Sequence, residues 1–207
     1  MLRVLGRDTS INVRKVLWAL DEIGVAFERE DWGGPFRSTR EADYLRLNPN
    51  ALVPTVLDGE LVLWESHAII RYYAAVHGRD DLLPADPLRR YHADRWMDWQ
   101  AVDLAGAARG AFLGIVRGSP AYDGKAIAAS IEAWTRFMCI LDAHLAEAGT
   151  AHVGGEDFTL ADICVGLAVN RWFQTPMEKP ALPAVAAYEE RLKARPAYRK
   201  YGPQGAP

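Results

Sequence analysis

The chain has 207 residues, half of them hydrophobic, with 24 Lys and Arg against 27 Asp and Glu, a net charge of −3 and a pI near 6.0. This apolar content suffices for one large or two small cored domains, and with no basic run long enough to track a phosphate backbone it argues against a disordered chain and against nucleic acid as a partner. No stretch approaches the roughly 18 apolar residues of a membrane span, and the start Met1-Leu2-Arg3-Val4 is too soon charged for a signal peptide, so a cytoplasmic protein with no membrane contact is expected.

Leu2, Val4 and Leu5 form a short apolar strand that ends at Gly6 and feeds the polar loop Arg7-Asp8-Thr9-Ser10. Val13, Val16, Leu17, Leu20 and Ile23 then recur at helical spacing, so a helix begins just after Ser10, holds Asn12 in its first turn and is closed by Gly24. Val25 and Phe27 alternate with polar neighbours as a second strand, before the loop Trp32-Gly33-Gly34-Pro35. After the polar loop Asn48-Pro49-Asn50, Pro54 stands where a strand begins and where no ladder donor is available. A cis Val53-Pro54 bond in a tight turn accounts for that placement. It turns the Val53 N–H and C=O away from the sheet, free to pair with an extended peptide. Asp58-Gly59 is the hairpin signal between strands at 55–57 and 61–63. Glu65-Ser66 precedes the helical pattern Ile69, Ile70, Tyr73 and Val76, so Ser66 reads as N-cap of a helix start that attracts a carboxylate. Strand-helix-strand followed by strand-strand-helix is the order of a thioredoxin-like domain, assigned to residues 1–79.

Residues 80–87 mix charge and proline without a period and read as a linker. From residue 88 to 207 the patterns are all helical: 88–116, with Gly106, Gly110 and Gly114 marking bends or close contacts; 126–148, stopped by Gly149; a helix opened by the capping box Thr159-Leu160-Ala161-Asp162; and 183–195, ended by Pro196. The tail 201–207 is expected to be loose or surface-lying. Cys139 and Cys164 sit in apolar helical patterns and read as buried, reduced thiols. The five histidines are scattered with no metal-ligand spacing, so no metal is expected. The fold class is thus α/β plus all-α.

The order Asn48-Pro49, Val53-Pro54, hairpin, Glu65-Ser66 at a helix start resembles the glutathione-binding half of the cytosolic glutathione transferases, in particular bacterial serine- or asparagine-type members that are theta-like or nu-like. Thr159-x-x-Asp162 and the preceding 154–158 resemble the helical half of the same family, so the likeness extends over most of the chain. The resemblance implies glutathione as co-substrate, with Val53, flanked by Leu52 and Pro54, along the cysteinyl backbone and Glu65 and Ser66 at the γ-glutamyl end. It also implies a homodimer and a small apolar electrophile as second substrate, for which Trp32, Phe36, Trp99, Phe112 and Trp172 are pocket candidates by position. Leu52 stands where the family often has a lysine or arginine for the glycyl carboxylate, and Ala51 where it often has glycine; Asn50, Arg37 or Arg40 can take over the carboxylate. His67 is expected as an exposed first-turn residue.

Glutathione must lose its thiol proton to attack an electrophile, and a thiol of pKa about 8.5 is only slightly ionised at neutral pH. A hydroxyl donating to the sulfur contributes about 1.5–3 kcal/mol and a helix start about 0.3–1, together lowering that pKa by roughly one to three units. The head of the first helix offers Thr9, Ser10 and Asn12. The first tyrosine is Tyr44 and the first cysteine Cys139, so the resemblance leaves the serine type: Ser10 is the first candidate, Asn12 can share or replace its role through its side-chain NH₂, and Thr9 is third. Other readings on the same fold are a glutathione-dependent disulfide reductase or peroxidase and a non-catalytic interaction module.

Overall fold

The computed structural model describes residues 1–202. The chain divides into two compact units, Met1–Leu83 and Pro84–Pro207.

The first unit runs β1 (Leu2–Leu5), α1 (Ile11–Ile23), β2 (Phe27–Glu30), α2 (Ala42–Leu47), β3 (Thr55–Asp58), β4 (Leu61–Trp64) and α3 (Ser66–Val76). Its sheet has the order β2-β1-β3-β4, with β1 and β2 parallel and the other neighbours antiparallel, the mixed sheet of a thioredoxin-like domain. A parallel pair needs a crossover, which α1 provides. Val13, Val16, Leu17 and Leu20 of α1 and Ile69, Ile70 and Tyr73 of α3 are buried, and the two helices pack on each other. The second strand starts at Phe27 rather than Val25 because the Val25 N–H donates to Leu20 O (2.9 Å), completing the end of α1 together with left-handed Gly24. The hairpin turn is Gly59-Glu60, one residue later than Asp58-Gly59, with Gly59 at φ 59°. Helix α2 carried no periodic signal: it is six residues long and buries only Tyr44.

Strand register sets the site. Leu5, the last residue of β1, pairs with Thr55, the first of β3, and Thr55 pairs with Trp64, the last of β4. The loop after β1, the loop before β3 and the entry to α3 therefore leave the same end of the sheet.

The second unit is helical. Residues 87–116 form one long run of α4 (Pro87–Trp99), a π-helical segment Gln100–Leu104, α5 (Ala105–Ala111) and a second π-helical segment Phe112–Val116. It is followed by α6 (Gly124–Ala148), α7 (Leu160–Gln174), α8 (Pro183–Lys193) and α9 (Pro196–Tyr201). Two of the three glycines in the long run mark close contacts with α6: a Cβ on Gly110 would lie 2.9 Å from Ser130 Cβ, and one on Gly114 2.5 Å from Ile127 Cδ1, while Gly106 faces open space. Helix α7 is buried on nearly every side and opens with the expected capping box. Pro196 ends α8 and also begins α9 as its first residue, where a missing N–H costs nothing, so the chain continues helical to a buried Tyr201. Of the tail expected to be loose, 203–207 lie outside the described residues. Cys164 is buried as expected, but Cys139 is exposed: the stripe Trp134, Met138, Leu141, Leu145 faces inward, and a residue one step past Met138 turns about 100° away from it.

Candidate active site

Three segments meet at the end of the sheet fixed by the Leu5-Thr55-Trp64 register. The first is the loop 6–10 and the head of α1. The Gly6 N–H donates to Glu30 O (2.8 Å), the Arg7 N–H to Trp32 O (3.1 Å), and the Arg29 guanidinium to Gly6 O (3.1 Å), so the loop is tied to β2 and its extension. Ser10 is N-cap in extended conformation (φ −83°, ψ 121°), and its carbonyl accepts the Arg14 N–H at 3.0 Å. Its hydroxyl makes no capping hydrogen bond, unlike the usual N-cap serine. Thr9 and Ser10 are half-buried, and Asn12, at the second helical position, is exposed.

The second segment is 48–54. The Val53-Pro54 peptide is cis. Among the described residues no hydrogen bond engages the Val53 N–H or C=O. Pro54 is buried, and Val53 lies against Gly6, where an added Cβ would meet Val13 Cγ2 at 2.4 Å and Val53 Cβ at 3.1 Å. Glycine at position 6 is thus what lets the Val53 loop approach α1. The loop is anchored from below by a buried polar network: the Tyr44 hydroxyl donates to Leu52 O (2.7 Å) and contacts Thr55 Oγ1 (3.0 Å), while Asn48 Nδ2 donates to the same two oxygens (2.9 and 3.3 Å). Asn48 Oδ1 accepts the Asn50 N–H at 3.0 Å, an Asx turn. Burial raises the Tyr44 phenol above its ordinary range and keeps it a donor. The Leu52 carbonyl is engaged in this network, and its side chain, 63% exposed, presents apolar surface only. Ala51 occupies the left-handed region at φ 55°, which is the conformation a glycine would take without strain. Arg37 is paired with Glu41 (2.8 Å) and stacked 4.2 Å above Trp32; Arg40 is exposed.

The third segment is the head of α3. The N-cap is Glu65, not Ser66: Glu65 O accepts the Ile69 N–H (2.9 Å), and Ser66 is the first helical residue. Glu65 holds φ 69° and ψ 107°, a conformation that non-glycine residues avoid and that clusters at functional positions. The Glu65 carboxylate is exposed and Ser66 is buried, and among the described residues neither side chain makes a hydrogen bond. His67 is not an exposed first-turn residue; it is half-buried, with Nε2 2.9 Å from the Lys15 amine. Two helix N-termini, each worth about half a positive charge, therefore face one corner beside an unengaged strand-like peptide.

Such an arrangement has the chemistry to hold a short anionic peptide. Over 203 residues, 97% of each chain, the sequence is 37% identical to the glutathione S-transferase GstB of Escherichia coli (strain K12). This chain belongs to the glutathione S-transferase family. The sequence model described as glutathione S-transferase, N-terminal domain, matches residues 2–75. Glutathione S-transferase 3 of Zea mays is 31% identical over 209 residues, covering 96% of this chain and 92% of its own. A theta class glutathione S-transferase from Xanthomonas axonopodis pv. citri, solved with glutathione bound, superposes with a TM-score of 0.93 at 40% identity, covering 100% of this chain and 99% of that one.

As a glutathione S-transferase the chain keeps Ser10, Asn12, Val53, Pro54, Glu65 and Ser66 at one end of its sheet, whereas several expected pocket aromatics are core. Trp32 packs with Tyr44 and Leu5, and Trp172 is fully buried against Trp134; Phe112 is nearly buried, Trp99 half-buried and Phe36 exposed. Among the described residues no cluster of metal-ligating side chains occurs. Tyr44, Asn48, Gly6 and Arg29 were not foreseen as supports of the site. Only Asn48 had a signal, since Asn-Pro-Asn is Asx-turn chemistry.

Proposed function

We propose that this glutathione transferase binds glutathione along Val53, with Glu65 and Ser66 at the γ-glutamyl end and the cysteinyl sulfur at the head of α1, where Ser10 donates its hydroxyl to the thiolate and Asn12 assists. The observation that carries the reading is a helix-capping serine whose hydroxyl does no capping. A donor held at a helix N-terminus and not otherwise engaged favours the anion over the thiol. The sulfur then attacks a small apolar electrophile, forming the thioether and expelling the leaving group. Residues 1–79 hold glutathione, 80–87 link, and 88–207 supply the helical domain.

The same protein acts as a homodimer in the cytoplasm. Leu61, Val62 and Trp64 on the edge strand β4, with Tyr72 and Val76 on the adjacent α3, are large exposed apolar side chains on neighbouring elements, the kind of surface that subunit contact covers. No helix among the described residues is long and apolar enough to cross a membrane.

The test is turnover with a chromogenic chloronitroaromatic electrophile. Loss of a charge-assisted hydrogen bond to the thiolate, about 1.5–3 kcal/mol, predicts a fall in kcat/KM of roughly 10- to 100-fold for Ser10→Ala, with a smaller fall for Asn12→Ala. Full turnover in both variants would end this assignment.

A further inference from the structure

Lys15 is a charged residue only 3% exposed, on the second turn of α1. A lysine amine donates and does not accept, so the 2.9 Å contact with His67 has Nε2 as acceptor and the ring proton on Nδ1. The two partners are far apart in sequence but adjacent to the two halves of the site. Lys15 lies five residues after Ser10, about 7.5 Å along the helix axis, and His67 directly follows Ser66. An extended tripeptide spans roughly 10 Å. A ligand held by its sulfur at one helix head and by its terminal amino acid at the other therefore requires those heads at a fixed separation.

Apolar packing of α1 on α3 is close but non-directional and by itself aligns no particular pair of polar atoms. A hydrogen bond to a buried amine adds a preferred distance and angle between two named side chains.

We propose that the Lys15–His67 contact is a positioning pair for glutathione, fixing the head of α3 against the head of α1 and hence the span between the γ-glutamyl site and the thiolate site. Neither side chain touches the reacting atoms. The inference rests on the binding mode proposed above.

The test compares His67→Leu with His67→Gln in the full-length protein, reading KM for glutathione, kcat at saturating glutathione and thermal midpoint. The glutamine Oε1 reaches the place of Nε2 and can accept from Lys15; leucine cannot. His67→Leu is expected to raise KM for glutathione about tenfold while kcat at saturation stays within about threefold, and His67→Gln to restore KM to within about threefold of the parent. Lys15→Met combined with His67→Leu, which removes both ends of the contact and the buried charge with it, keeps the raised KM even where its thermal midpoint recovers. The proposal is overturned by an unchanged KM in His67→Leu, by glutamine as impaired as leucine, or by a KM in the double variant that returns with stability. A parent protein that glutathione does not saturate overturns the binding mode itself, together with this pair; saturation in the parent with an indifferent His67→Leu overturns the pair alone.

Discussion

The network beneath the Val53 loop makes a quantitative prediction, because its two donors back each other up. In Tyr44→Phe the hydroxyl bonds to Leu52 O (2.7 Å) and Thr55 Oγ1 (3.0 Å) disappear, but both oxygens keep Asn48 Nδ2. The ring keeps its packing on Trp32 and Leu5, so the cost is that of one modest net hydrogen bond, about 1 kcal/mol. In Asn48→Ala, Leu52 O and Thr55 Oγ1 keep Tyr44, yet the Asn50 N–H loses its acceptor at 3.0 Å and the Asx turn goes with it. Two net bonds and part of a desolvation penalty amount to about 2–3 kcal/mol. The double variant leaves Leu52 O without either donor and should be less stable than the sum of the single changes by about 1–2 kcal/mol. Urea unfolding followed at constant slope gives the three values, and KM for glutathione should rise in the same order as the loop loosens. An additive double variant, or Tyr44→Phe as costly as Asn48→Ala, would refute the idea that the donors are redundant supports of one loop.

At Ala51, whose φ is 55°, Ala51→Gly should leave stability unchanged or raise it by up to about 1 kcal/mol, and Ala51→Val should lower it by about 1–3 kcal/mol, both read from urea midpoints; a valine variant as stable as the parent would remove the strain. Asp162 accepts the Thr159 N–H (2.8 Å), the Val153 N–H (3.0 Å) and the Tyr188 hydroxyl (2.9 Å), so Asp162→Ala orphans two buried amides and should cost about 3 kcal/mol or more in the same assay; less than about 1 kcal/mol would contradict this. Burial lifts the phenols of Tyr44, Tyr73 and Tyr188 above 10.0. The native chain then keeps protons that the unfolded chain releases, so this contribution is whole below about pH 10 and is lost as pH rises beyond it. The urea midpoint should fall above about pH 10, and a midpoint steady to about pH 11 would count against it.

What the sequence made legible was local chemistry. Glycine at a helix end, proline before a strand, Asp-Gly at a hairpin and Thr-x-x-Asp before an apolar run each constrain the backbone within a few residues, and Gly24, cis Pro54, the β3–β4 hairpin and the α7 cap all appear, the hairpin turn one residue later at Gly59-Glu60. Less legible were features decided by distant partners. Nothing near Glu65 in sequence announces its positive φ, which makes it rather than Ser66 the cap of α3. Helix α2 is tied to the rest of the unit through Tyr44, which reaches Leu52 and Thr55, and a single buried position gives no periodicity. Cys139 and the aromatic candidates Trp32 and Trp172 have the same composition whichever way they face, so only packing tells core from surface. Of the candidate site, the residue types were readable; their convergence came from the register Leu5-Thr55-Trp64, which no local signal encodes.

The most direct test of the account is the ionisation of bound glutathione, followed by thiolate absorbance against pH in the parent, Ser10→Ala and Asn12→Ala proteins. The parent should show a thiol pKa roughly one to three units below the free value of about 8.5, and it should move back by about one to two units when the donor is removed, most in Ser10→Ala. An undisturbed thiol in the parent, or a depression that survives both substitutions, would mean that the head of α1 does not hold the sulfur.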